Sequence, residues 1–160
     1  RQVPQGEGVV VSPADGKVIV VKDIFEPDYL KQDVKQISIF LSVFNVHVNR
    51  SPIGGAVETV KYNPGKFLVA SVDKASLENE QTAMVISNGK HKILVKQIAG
   101  LIARRIVCYP KAGDRLRLGE RYGLIRFGSR VDIFLPKDAE VKVKVGDRIK
   151  GCRDIIGVLK

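Results

Sequence analysis

Apolar and polar residues alternate along this chain with a period of two far more often than with the period of a helix. The stretches 9–11, 18–21, 37–43, 57–62, 84–87, 93–98, 106–109, 122–127, 131–135, 141–145 and 155–159 each read as a strand rich in Val and Ile. Gly, Pro, Asn and Asp punctuate them as turns. Helical spacing is weak. Residues 27–31 have room for one turn and 73–80 for one or two, and a turn over 98–105 is disfavoured by Gly100. The pattern predicts a mostly β fold with few short helices.

Two internal echoes refine that expectation. Ser12-Pro13-Ala14-Asp15-Gly16-Lys17-Val18 is repeated in kind by Ser51-Pro52-Ile53-Gly54-Gly55-Ala56-Val57. Lys111-Ala112-Gly113-Asp114-Arg115-Leu116-Arg117 is repeated by Lys144-Val145-Gly146-Asp147-Arg148-Ile149-Lys150. Such Pro and Gly punctuation between short strands predicts a duplicated small β-sandwich or barrel of the biotinyl and lipoyl kind. The Gly-Asp-Arg turns are scaffold in this reading. Residues 1–160 form one domain, and the long connections 26–35 and 70–81 are its natural lids.

A chain of 160 residues with 44% apolar content holds a real core and is not disordered. The net charge of +10 points to an acidic partner. Eight Lys or Arg lie between Arg104 and Arg130 against two acids, without a reader motif for nucleic acid. An anionic lipid surface therefore suits the chain better than nucleic acid. Cys108 and Cys152 stand apart without ligand spacing and read as buried thiols. With only two His and no paired motif, no metal site is expected.

The candidate chemistry lies in Arg126-Phe127-Gly128-Ser129-Arg130-Val131-Asp132. Gly-Ser between two apolar runs can be an ordinary hairpin turn. It is also a place where a hydroxyl reaches a carbonyl that no side chain shields. Attack by Ser129 Oγ on Gly128 turns the amide into an ester. Elimination then leaves dehydroalanine, which hydrolyses to a pyruvoyl group. The serine needs a base. His91 sits in the polar tip Asn88-Gly89-Lys90-His91-Lys92, whereas His47 lies between Val46 and Val48. A lone strand histidine is more often structural than catalytic, and Asp15 alone is an ordinary turn residue.

Four motifs occur in one order: Ser12-Pro13-Ala14-Asp15-Gly16-Lys17-Val18, Phe44-Asn45-Val46-His47-Val48-Asn49-Arg50-Ser51-Pro52, Gln97-Ile98-Ala99-Gly100-Leu101-Ile102-Ala103-Arg104-Arg105-Ile106, and Gly119 to Asp132. Together they resemble the phosphatidylserine decarboxylase family of the short prokaryotic type, over essentially the whole chain. The resemblance implies that His47 is the base, oriented by Asp15 in an Asp-His-Ser relay. It implies cleavage between Gly128 and Ser129 into a β chain, 1–128, and an α chain, 129–160. It also implies a covalent pyruvoyl cofactor derived from Ser129, which forms a Schiff base with the serine headgroup of the substrate and accepts electrons as CO2 leaves.

Arg50, Arg104, Arg105 and Arg130 are candidates for the headgroup phosphate. Phe44 stands where another branch of the family has a second His, so no role of that residue carries over. The implied protein is peripheral to the cytoplasmic side of the cell membrane, with anionic phospholipid as its partner and a homo-oligomer left open. Family members usually carry a hydrophobic N-terminal segment, so this sequence reads as a trimmed or partial chain. The alternatives are the same reaction on archaetidylserine and a non-catalytic lipoyl- or biotinyl-like carrier, with Lys74 of Asp73-Lys74-Ala75 as its arm.

Overall fold

The computed structural model describes residues 2–42, 48–65, 70, 78–100, 106–126 and 128–160. The first of two units opens with β1 (Val9–Val11), β2 (Gly16–Glu26) and β3 (Gln32–Leu41). The chain then builds the second: β4 (Val48–Arg50), β5 (Gly55–Asn63), β6 (Gln81–Ser87), β7 (Lys92–Ile98), β8 (Ile106–Cys108), β9 (Arg115–Leu116) and β10 (Arg121–Ile125). It returns to finish the first with β11 (Ser129–Pro136), β12 (Glu140–Val141), β13 (Arg148–Ile149) and β14 (Ile155–Val158).

The sheets carry the duplication. One antiparallel sheet of eight strands runs β13-β2-β3-β11-β7-β6-β5-β9, four strands from each unit in mirrored order. Each unit adds a three-stranded sheet, β1-β14-β12 and β4-β10-β8. The two Gly-Asp-Arg turns do the same work in each unit. Asp114 Oδ2 accepts the Lys111 N–H at 3.0 Å, and Asp147 Oδ2 accepts the Lys144 N–H at 3.0 Å. Gly113 and Gly146 supply positive φ, 99° and 100°. Each turn feeds a two-residue strand that pairs with the start of its long neighbour, β9 with β5 and β13 with β2. The expected scaffold role of these turns is what the fold contains.

Some boundaries differ from the pattern. Half of the predicted loop 26–35 is strand, because β2 and β3 stay paired as far as Glu26 opposite Gln32. The expected helical turn at 27–31 is the tip of that hairpin. The Glu26 carboxylate accepts the N–H groups of Asp28, Tyr29 and Leu30 at 2.8, 2.7 and 2.6 Å, which closes the turn. The strand expected over 141–145 stops at Val141, since the Gly-Asp-Arg turn claims Lys144. β4, β9 and β13 are two or three residues long, too short for a period to show. Most of the helix expected over 73–80 lies outside the described residues.

β11 sits in the middle of the large sheet and is covered on both faces. Val131, Ile133 and Leu135 enter the main core with Ile37, Ile39 and Leu41 of β3. Each such side chain contributes about 1.5–3 kcal/mol by leaving water. On the other face Phe134 joins Val34, Ala83, Val85 and Leu94, while Arg130 and Asp132 form a buried ion pair, Nε to Oδ1 2.8 Å. Arg130 also donates to Ser38 Oγ at 2.8 Å and to the Ala70 carbonyl at 3.1 Å. Between the large sheet and β4-β10-β8, burial raises the Tyr122 hydroxyl well above its usual range, with the nearby Cys108 adding to the shift. Burial likewise pushes the Cys108 thiol up to about 11.

Two predictions follow from this packing. Asp132→Ala strips Arg130 of the Asp132 carboxylate inside the sheet and should cost about 3–5 kcal/mol in a urea titration, more than the double change Arg130→Met with Asp132→Leu. A raised thiol pKa keeps Cys108 protonated, so the stability it holds is complete below its ordinary pKa and is lost as pH rises towards the folded value. Near pH 8 its thiolate fraction should be about 100-fold below that of an ordinary thiol, and iodoacetamide should label it correspondingly slowly.

Candidate active site at the crossover between the units

The chain passes from one unit to the other twice, between β3 and β4 and between β10 and β11. Both passages meet at one end of the large sheet, because the last residue of β3, Leu41, lies opposite the first of β11, Ser129. The Gly128 N–H donates to the Leu41 carbonyl at 2.6 Å. Gly128 has φ +78°, and among the described residues no atom beyond its chain neighbours stands within 4 Å of where its Cβ would be. Glycine is needed there for conformation rather than for space. Ser129 is fully buried, and its Oγ donates to the Arg126 carbonyl at 2.5 Å across the turn.

The carbonyl side of Gly128 has the opposite constraint. The Gly128 carbonyl lies against Gly100, just beyond β7, and a Cβ on Gly100 would come within 1.9 Å of that oxygen. The methyl of Ala70 backs the same spot, 3.3 Å from the Cβ position.

Asp15 ends the Ser-Pro turn that opens β2 and is 2% exposed. Its Oδ1 accepts the Gly151 N–H at 2.6 Å. The following Gly16 packs on the Phe40 carbonyl, and Phe40 pairs with Arg130 on its other side. Asp15 and Ser129 thus share the sheet end, with β3 between their strands, about 10 Å apart across two strand spacings. The repeat highlights this residue. Where the first unit has Asp15, the second has Gly54, which approaches the Leu118 N–H instead.

His47 lies outside the described residues, as do Phe44, Lys74, Arg104, Arg105 and Phe127. The flanks of the His47 segment are clear. It leaves β3 beside Ser129 and enters β4, where the Arg50 N–H donates to the Pro13 carbonyl at 2.8 Å, two residues before Asp15. His91 sits in the turn between β6 and β7, its N–H bonded to Asn88 Oδ1 at 2.7 Å.

Of the arginines picked out for phosphate, Arg50 donates through Nη1 to the Gly119 carbonyl at 3.0 Å. Arg130 is 1% exposed, and its guanidinium faces Asp132, Ser38 and Ala70 on the side of the sheet opposite Ser129. The structure therefore gathers Gly128, Ser129 and Asp15 at one end, and it places Arg50 and Arg130 in internal bonds.

Three residues of this region carry no role in the sequence reading. Gly100 drew notice as a poor helix former and as one letter of a motif, without a role. Asn49 and Gln97 are buried and joined by a 2.8 Å bond from Gln97 Nε2 to Asn49 Oδ1, while Asn49 Nδ2 and Gln97 Oε1 have no partner among the described residues. Gln97 pairs with Val131 on the face that Ser129 shares. A polar residue at an inward position of β7, after Ile93 and Val95, was the available signal.

Comparison with known proteins bears on the family of this chain. The phosphatidylserine decarboxylase family model matches residues 1–157. Syntrophotalea carbinolica has a relative 54% identical over 155 residues, spanning 96% of this chain and 72% of that protein. A relative from Syntrophus aciditrophicus is 49% identical over 159 residues, 98% of this chain and 74% of its own. One from Geotalea uraniireducens is 51% identical over 160 residues, 99% and 75%. Each of the three is a phosphatidylserine decarboxylase proenzyme. With its motifs, its buried Gly-Ser crossover and these likenesses in agreement, the chain belongs to the phosphatidylserine decarboxylase family, a family of enzymes.

Proposed function

We propose that this protein decarboxylates phosphatidylserine to phosphatidylethanolamine after cleaving itself between Gly128 and Ser129. The observation that carries the reading is the buried hydroxyl of Ser129 in a tight turn beside a glycine peptide, in a chain of this family. The hydroxyl's hydrogen bond to Arg126 is a resting state, since a donor tied to a carbonyl is not an active nucleophile. His47, brought by the other crossover, takes that proton, and Asp15 orients it. Oγ then adds to the Gly128 carbonyl carbon, the C–N bond breaks, and the ester oxygen stays with Gly128.

Loss of the Cα proton of residue 129 expels the Gly128 carboxylate. The dehydroalanine left behind gains water and releases ammonia. The residues present fit the pyruvoyl group that results, because residue 129 begins β11 in a site screened from water. When in place, that group supplies the electron sink for loss of CO2 from a serine headgroup. His47 holds the proton that returns to the product carbon.

The sheet β4-β10-β8 supports a membrane role. Leu124 pairs with Val107 and Val48, so three apolar side chains line its outer face just before the cut. Leu124 is exposed, as are Tyr109, Lys111, Arg121 and Arg126 nearby. No helix of the described residues is long and apolar enough to cross a membrane. Docking of this face on anionic lipid at the cytoplasmic side makes the enzyme peripheral.

CO2 release from vesicles of phosphatidylserine tests the reading. The wild type should release CO2 and lose activity on borohydride treatment. Ser129→Ala should be inactive. Turnover with Ser129→Ala, or indifference to borohydride, would contradict the pyruvoyl route.

Two further outcomes check the parts. His47→Ala should slow processing by about 100-fold or more, and His91→Ala should leave it unchanged, by gel densitometry. Leu124→Asp should weaken sedimentation with anionic vesicles, and binding of the wild type should fall as salt rises through about 0.1 to 0.5 M. Binding indifferent to salt and to Leu124 would remove this face from the account.

A further inference from the structure

Gly128, the residue before the cut, is held at its N–H and bounded at its carbonyl. Leu41 takes the Gly128 N–H, and Gly100 leaves open the space into which the Gly128 carbonyl points. Real Cβ atoms essentially never come within 3.0 Å of a backbone oxygen, and here the separation would be 1.9 Å. Gly100 has no positive φ to account for it, in contrast to Gly128. Its cause is steric. The other wall of the space is Ala70, whose carbonyl is bonded by Nη1 of Arg130, the residue after the nucleophile. Arg130, Ala70 and Gly100 thus form a closed path from one side of the bond to the other.

We propose that Gly100 is a positioning residue for self-cleavage: the missing side chain seats the Gly128 carbonyl where Ser129 Oγ can reach its carbon, with Ala70 as the back wall. This rests on the self-cleavage reading above. A methyl at position 100 drives the carbonyl away by more than about 1 Å, which in a step that depends on alignment is worth about 100-fold in rate. Removing the Ala70 methyl gives the new side chain somewhere to go. A double change should then process faster than the single one, although Ala70→Gly takes packing out of a buried spot.

The test follows processing of freshly expressed wild type, Gly100→Ala, and Gly100→Ala with Ala70→Gly by intact mass, with circular dichroism and thermal melting on each. The expected result is a folded Gly100→Ala chain cut about 100-fold more slowly than wild type, with several-fold recovery in the double variant. A change that merely loosened the fold would be made worse by Ala70→Gly, so recovery separates seating from stability. Wild-type processing rates in Gly100→Ala, failure of that variant to fold, or no recovery in the double variant would each overturn the proposal. If the wild type itself stays whole, the self-cleavage reading falls and takes the proposal with it. A wild type that cuts beside an equally fast Gly100→Ala removes the seat alone.

Discussion

Everything near the candidate site depends on the pairing of β11 with β3 on one side and β7 on the other. Ser129 to Pro136 lie opposite Leu41 to Val34 without a break, and Arg130 to Phe134 lie opposite Ile98 to Leu94. Backbone bonds on both edges, apolar residues on one face and the Arg130–Asp132 pair on the other hold this strand from four directions. A strand held so fully does not need its N-terminal peptide bond to stay in place. That allows a protein to break the bond before residue 129 and keep residue 129 where it was.

The duplication explains where the candidate site falls. Two equivalent units can tile a sheet, but a single chain must cross between them, and crossover segments escape the repeat. One crossover carries Gly128 and joins Ser129; the other carries His47. Departures from the repeat also mark the site. Asp15 replaces the glycine of the second unit. Cys152, with φ +69°, occupies the turn position that Gly119 fills in the other unit, and Gly119 packs on its sulfur.

Much of this was legible in the sequence because it is local. Alternation gave the strands of the large sheet, and the paired Ser-Pro and Gly-Asp-Arg motifs gave the duplication, since turn chemistry depends on neighbouring residues. Gly128, Ser129 and Asp15 were legible through their motifs. What depends on distant partners was not. Arg130 reads as a candidate for the headgroup phosphate until Asp132, Ser38 and the Ala70 carbonyl surround it. Gly100 reads as a helix breaker until the Gly128 carbonyl, 28 positions further along the chain, arrives against it. The interlocked order of strands was likewise invisible, because nothing local says that β3 will pair with β11.

The most direct test compares the mass of the purified wild-type protein under native and denaturing conditions. The account predicts that both fragments travel together in one particle under native conditions. On denaturation it should separate into residues 1–128, ending in an ordinary carboxylate, and residues 129–160, starting with a pyruvoyl group in place of serine. A denatured protein that remains one chain of unaltered mass while releasing CO2 from phosphatidylserine would contradict it.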